Sequence, residues 1–109
     1  MDELLKLHGA LGLSRRAGKC LSGDFAVEKA LKSGKTKLVV IDSAASEATR
    51  ERYMGLCERQ GATMIAAPEV GQAVGKPAGK ILAITDARFV HMILCAYAQF
   101  EEQNRQTNN

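Results

Sequence analysis

Seven cationic side chains, Arg15, Arg16, Lys19, Lys29, Lys32, Lys35 and Lys37, crowd into one stretch of this chain that holds only two carboxylates, Asp24 and Glu28. Gly23 stands among them, directly ahead of a helix-like run, DFAVEKALK. A helix start presents unpaired amides and the positive end of the helix dipole, and a glycine beside it lets an anionic group come close to the backbone. Lys29 and Lys32, three residues apart, occupy neighbouring positions on that helix. The chemistry open to such a set is the holding of a polyanion; a solvated lysine-rich helix face would produce the same run of charge. The charge is also unevenly placed. From Ile41 to Glu102 six basic residues stand against eight acidic ones, and the net for all 109 residues is only +3. Positive charge gathered in a third of the length can present a one-sided field to a polyanion.

No group of residues proposes a reaction. GKPAGKI, from Gly75 to Ile81, has three residues between its glycines and Ile81 after its lysine, where a phosphate loop needs four and then a serine or threonine for magnesium. Gly9, Gly12 and Gly18 lie at the end of a helical pattern, not between a strand and a helix, so they fail as a dinucleotide fingerprint. His8 and His91 sit in helical patterns with no serine or cysteine beside them in a nucleophile motif, and read as partly exposed surface histidines. Cys20, Cys57 and Cys95 have no CxxC spacing and no nearby histidine pair to make a metal site. They read as reduced packing cysteines, with Cys57 on an apolar face where burial makes a thiol inert. The expectation is no catalytic group, no cofactor and no metal.

The elements that must position the cations follow from periodicity. Leu4, Leu5, Leu7, Leu11 and Leu13 recur at helical spacing and the pattern stops near Ser14, with Gly9 and Gly12 suggesting close packing. KCLSG is a small edge strand or loop. Asp24, or Ser22 before it, offers an oxygen to cap the second helix, which turns Val27, Ala30 and Leu31 inward and ends at Gly34. KLVVID is a strand covered on both faces. A third helix is capped by Ser46, carries Tyr53, Leu56 and Cys57 on one face, and ends at Gly61. ATMIAA is a second apolar strand; Pro68 suits the first turn of a short helix through Val74. KILAITD is another long strand, and Asp86 caps a last helix with Phe89, Ile93, Ala96, Tyr97 and Phe100 along one face. Strands alternating with helices predict an α/β protein with right-handed crossovers and a largely parallel or mixed sheet between helical layers.

At 109 residues the chain suits one domain, residues 1–102, followed by a flexible polar tail, 103–109. No apolar run approaches the roughly 18 to 20 residues of a membrane span, and MDELLKL lacks the order of a signal peptide, so the expected location is the cytoplasm, away from membranes.

The passage LGLSRRAGKCLSGDFAVEKALKSGKTKLVVIDSAAS, Leu11 to Ser46, resembles the ribosomal protein L7Ae and L30e family, in particular its small bacterial members of YlxQ type. CERQGATMI, EVGQAVGK and ILAITD extend the resemblance over roughly Leu4 to Tyr97. It implies a three-layer α/β/α sandwich, with a mixed four-stranded sheet, that binds structured RNA such as a kink-turn or related internal loop. It also implies a ribosomal or ribosome-associated setting and no catalytic activity. The contact surface in that family joins the start of the second helix to the loop before the last strand. Carried onto this chain, it comprises Gly23, Asp24, Phe25, Lys29 and Lys32 with Pro77, Ala78, Gly79 and Lys80, and Arg15, Arg16 and Lys19 as a second set of phosphate contacts.

One departure matters. Archaeal and eukaryotic kink-turn binders place an Asn-Glu pair ahead of the helix lysine, whereas aligning on Lys29 puts Phe25 and Ala26 there. Phe25 reads as buried against the first helix, since aromatic rings bury large areas, with stacking on a flipped-out or terminal base as the alternative. Without the Asn-Glu pair, the same fold could instead serve as a protein-protein interaction module.

Overall fold

The computed structural model describes residues 2–107. In chain order its elements are α1 (Glu3–Arg16), β1 (Cys20–Ser22), α2 (Asp24–Lys32), β2 (Leu38–Asp42), α3 (Glu47–Gln60), β3 (Thr63–Ala67), α4 (Val70–Ala73), β4 (Ile81–Ile84) and α5 (Ala87–Thr107). The four strands form one sheet in the order β1-β4-β2-β3.

Alternation along the strands builds two cores. Leu38, Val40, Leu82 and Ile84 face α1, α4 and α5 and meet Leu7, Leu11, Val70 and Ile93. Val39, Ile41, Ile81 and Ala83 face α2 and α3 and meet Val27, Leu31, Tyr53, Leu56 and Cys57. The sheet is therefore the middle of three layers, and β2, buried at every residue, is an interior strand.

The sheet is mixed, as expected. β2 and β3 pair in parallel across α3, but β4 runs antiparallel to both β1 and β2. The connection between β3 and β4 is the four-residue helix α4 with its flanking loops, and it does not run back along the sheet. The chain leaves β3 and re-enters β4 at the same end of the sheet.

Several boundaries differ from expectation for local reasons. α1 runs past Ser14 because that buried hydroxyl donates back to the Leu11 carbonyl (2.7 Å) instead of interrupting the helix. Of its glycines, Gly12 packs tightly, since a Cβ there would sit 3.1 Å from the Ala73 carbonyl oxygen, whereas Gly9 has no neighbour within 4 Å. Pro68 is not in the first turn of α4. Glu69, at φ 54° and ψ 42°, intervenes, and the Val70 amide bonds the buried Asp42 carboxylate (3.3 Å). The Ser46 and Asp86 caps form as expected, to Thr49 N (3.2 Å) and Arg88 N (2.8 Å). α5 continues through the polar segment as far as Thr107, with the Gln103 side chain accepting from the Glu3 amide (3.3 Å); residues 108 and 109 of the expected tail lie outside the described residues.

Candidate nucleic-acid interface

Gly23 is the hinge on which the site is built. It leaves β1 at φ 102° and ψ 154°, a backbone that an L side chain adopts only with strain. Its N–H donates to the Ile81 carbonyl (3.1 Å), and its own carbonyl accepts from Val27 N (3.0 Å), starting α2. Gly23 is also the N-cap, and no side chain caps the helix. Neither Ser22 nor Asp24 fills that role, which corrects the expected cap. The Asp24 side chain turns away to α3, and the opening amides of α2 carry no side-chain cap.

The loop before β4 lies against this tip. Lys76 N donates to the Gly71 carbonyl (2.7 Å), Gly79 N to the Lys76 carbonyl (2.7 Å), and Asp42 N to the Lys80 carbonyl (2.8 Å). A Cβ on Gly79 would come within 3.2 Å of the Ser22 hydroxyl, so the loop backbone touches the residue that precedes Gly23. Lys76, Pro77, Ala78 and Lys80 are exposed, and Gly79 is half-buried. The tertiary structure thus joins Gly23 and 77–80, segments more than fifty residues apart. Asp42 contributes from beneath: its carboxylate accepts from Ala44 N (2.8 Å) as well as Val70 N, fixing the start of α4 and hence the loop behind it.

The cations are spread more widely. Arg15 and Arg16 end α1 and are exposed, and half-buried Lys19 enters β1 at the end opposite Gly23, about 13 Å away at ~3.3 Å per strand residue. Lys35 and Lys37 share that far end, beside Thr85 and Asp86. Lys29 is exposed along α2 and has no ion-pair partner among the described residues. Lys32 is engaged by Glu28 at 2.7 Å. The seven residues are therefore spread over the end of α1, the entry to β1, α2 and the connection from α2 to β2, not gathered in one cluster at the helix tip.

A bridge from α3 stands behind the tip. Arg52 donates to Asp24 Oδ1 (2.8 Å) and to Glu28, and the buried Tyr53 hydroxyl donates to the same Asp24 carboxylate. The Tyr53 bond, then Arg52, holds the Asp24 carboxyl below the usual range; Lys32, then the charge of Arg52, does the same for Glu28. The Tyr53 phenol is pushed up, first by burial and then by its bond to Asp24. Both carboxylates of the α2 tip are in this way offset by cations. The sequence reading saw Tyr53 as core and missed Arg52, because nothing local pairs a residue with a carboxylate 28 positions away.

Phe25 corrects the expectation of burial: the residue is 81% exposed. Among the described residues no group of three His, Cys, Asp or Glu side chains is placed to hold a metal, and no helix is long and apolar enough to cross a membrane. His8 Nε2 donates to the Pro68 carbonyl (2.8 Å), while His91 lies 3.7 Å from Cys95 on the exposed side of α5, a neighbour that the motif reading overlooked.

Comparison with known proteins agrees with this architecture. The chain is 29% identical over 87 residues to the RNA-binding protein YlxQ of Bacillus subtilis, covering 77% of this chain and 87% of that protein. A protein of unknown function from Bacillus halodurans superposes with a TM-score of 0.79 at 26% identity, covering 84% of this chain and 95% of the other. The 15.5kD RNA binding protein of Giardia lamblia shares the fold, with a TM-score of 0.71 at 16% identity over 94% of this chain and 90% of that one. The family model that matches residues 5–93 takes in both segments joined at Gly23, and the chain belongs to the ribosomal protein L7Ae/L30e/S12e/Gadd45 family.

Proposed function

We propose that this chain is a non-enzymatic RNA-binding protein that recognises structured RNA, a kink-turn or related internal loop, in a ribosomal or ribosome-associated setting in the cytoplasm. The observation that carries the reading is the junction at Gly23, where an uncapped helix start, a close-packed exposed loop and offset carboxylates coincide. A phosphate can approach the amides there, while Lys29, Arg15, Arg16, Lys19 and Lys80 supply charge on either side. Trp is absent and Phe and Tyr total five residues, so extended single-strand stacking platforms are not available and recognition by shape suits the surface better. Similarity to the RNA-binding protein YlxQ supports the same ligand class.

The test is binding of a kink-turn hairpin RNA over a series of salt concentrations. The affinity should fall steeply with salt, since each phosphate contact contributes a slope of about −0.7 to −0.9. Reversing Lys29 and Arg16 together to Glu should weaken binding at least ~10-fold. An unchanged affinity at moderate salt would remove the site. A protein-protein interaction module is the second reading, favoured by exposed Phe25 and by Ala26 at the positions of the Asn-Glu pair; a protein partner that persists in pull-down after nuclease treatment would select it.

A further inference from the structure

The apolar positions of α2 divide into two sets. Val27, Ala30 and Leu31 are buried, while Phe25 stands in solvent on the opposite stripe with Glu28, Lys29, Lys32 and Ser33. These five residues line an open groove of about 460 Å³. An aromatic ring left in water forgoes the burial that such side chains ordinarily gain, and this one stands one residue beyond the helix start. Glu28 is offset by Lys32 and Arg52, which leaves the Lys29 ammonium as the unpaired charge of the groove, one turn from the Phe25 ring.

A π-face with a cation one turn away suits an unstacked base and its adjoining phosphate: the base stacks on the ring and the ammonium meets the phosphate. We propose that the groove seats one unpaired base of the bound RNA, stacked on Phe25, with its phosphate on Lys29. The assignment rests on the RNA-binding reading above. An apolar protein segment laid on the same stripe would desolvate Lys29 with no counter-charge, which is costly, so charge complementarity favours the nucleotide.

The experiment measures wild type, Phe25→Ala, Phe25→Tyr and Lys29→Glu on a kink-turn hairpin RNA and on versions in which each unpaired loop base in turn is replaced by an abasic site. Phe25→Ala should bind the intact loop about tenfold more weakly, Phe25→Tyr should bind near wild type, and the loss on Phe25→Ala should vanish on one abasic version. Binding of Phe25→Ala within about twofold of wild type, or an equal loss on every RNA, overturns the stacking site and leaves RNA binding standing. A change of oligomeric state in Phe25→Ala by light scattering also overturns it, by assigning the ring to a protein interface. If wild type binds none of the RNAs, the general reading falls and this one falls with it. The ring is exposed, so its removal leaves the fold intact and the variants comparable.

Discussion

Arg52 of α3 reaches across to Asp24 in the first turn of α2, Nη1 to Oδ1 at 2.8 Å, so the helix whose start faces the candidate ligand is braced from its neighbour. Tyr53, the next residue, donates to the same carboxylate and lies under the Arg52 guanidinium, 4.9 Å from ring centre to Cζ. One strand-to-helix junction therefore answers to α3 as well as to Gly23.

The brace has a pH signature. The Asp24 carboxyl is held below its ordinary value of 3.8, first by Tyr53 and then by Arg52. A carboxyl with a lowered folded pKa adds stability above its unfolded pKa and loses it as pH falls through the folded value. Asp24→Asn should destabilise the protein at neutral pH by about 1 kcal/mol or less, the range for exposed pairs, with the difference shrinking below about pH 4. Urea unfolding of both proteins at neutral and acid pH measures it; a gap that persists unchanged into acid would show that the carboxylate's charge is not its source.

Two glycines should respond in opposite directions. A Cβ on Gly71 would collide with the backbone carbonyls of Lys76 and Gly79. Gly71→Ala should cost about 1–3 kcal/mol, lower Tm by roughly 4–8 °C per kcal/mol, and loosen hydrogen exchange in residues 76–80. Gly9 is exposed in the middle of α1 with open space around it, so Gly9→Ala should stabilise by about 0.5–1 kcal/mol. Thermal melts of the pair decide whether the loop is held by backbone packing; a neutral Gly71→Ala would refute it.

Glu69 is the single non-glycine residue at positive φ among those described, at 54°. A left-handed backbone costs an L residue about 1–2 kcal/mol. Glu69→Gly should raise stability by up to ~1 kcal/mol, after the greater chain entropy of glycine in the unfolded state is subtracted. A lowered Tm would show that the Glu69 side chain contributes more than its backbone strain removes.

The thiols should separate into two classes. Burial raises the pKa of Cys20 and Cys57, and Cys95 is exposed on α5. A thiolate is the reactive form, so an aromatic disulfide reagent should titrate one thiol rapidly in the native protein and all three in denaturant. Rapid native reaction of a second thiol would place Cys20 or Cys57 at a surface.

Much of the fold was readable in the chain because its signals are local. The Ser46 cap acts within three residues, Gly61 supplies the left-handed end of α3 at φ 67°, and LVVID alternates between the two cores. The candidate interface was readable as two segments, Gly23 with the α2 lysines and the loop 77–80, through their spacing and the family resemblance. Their contact was not, since Gly79 meets Ser22 only after β4 has slotted between β1 and β2.

The sequence by itself determined which residues make helices and strands, which faces turn inward, and that positive charge collects before residue 38. Tertiary structure decided the reversed direction of β4, the partner of Asp24, the exposure of Phe25 and the spread of the cations away from the helix tip. Helix starts, caps and apolar periodicity are written into neighbours a few residues apart, whereas exposure and ion pairing depend on what arrives from elsewhere in the chain. Composition cannot specify that, and three-dimensional packing does.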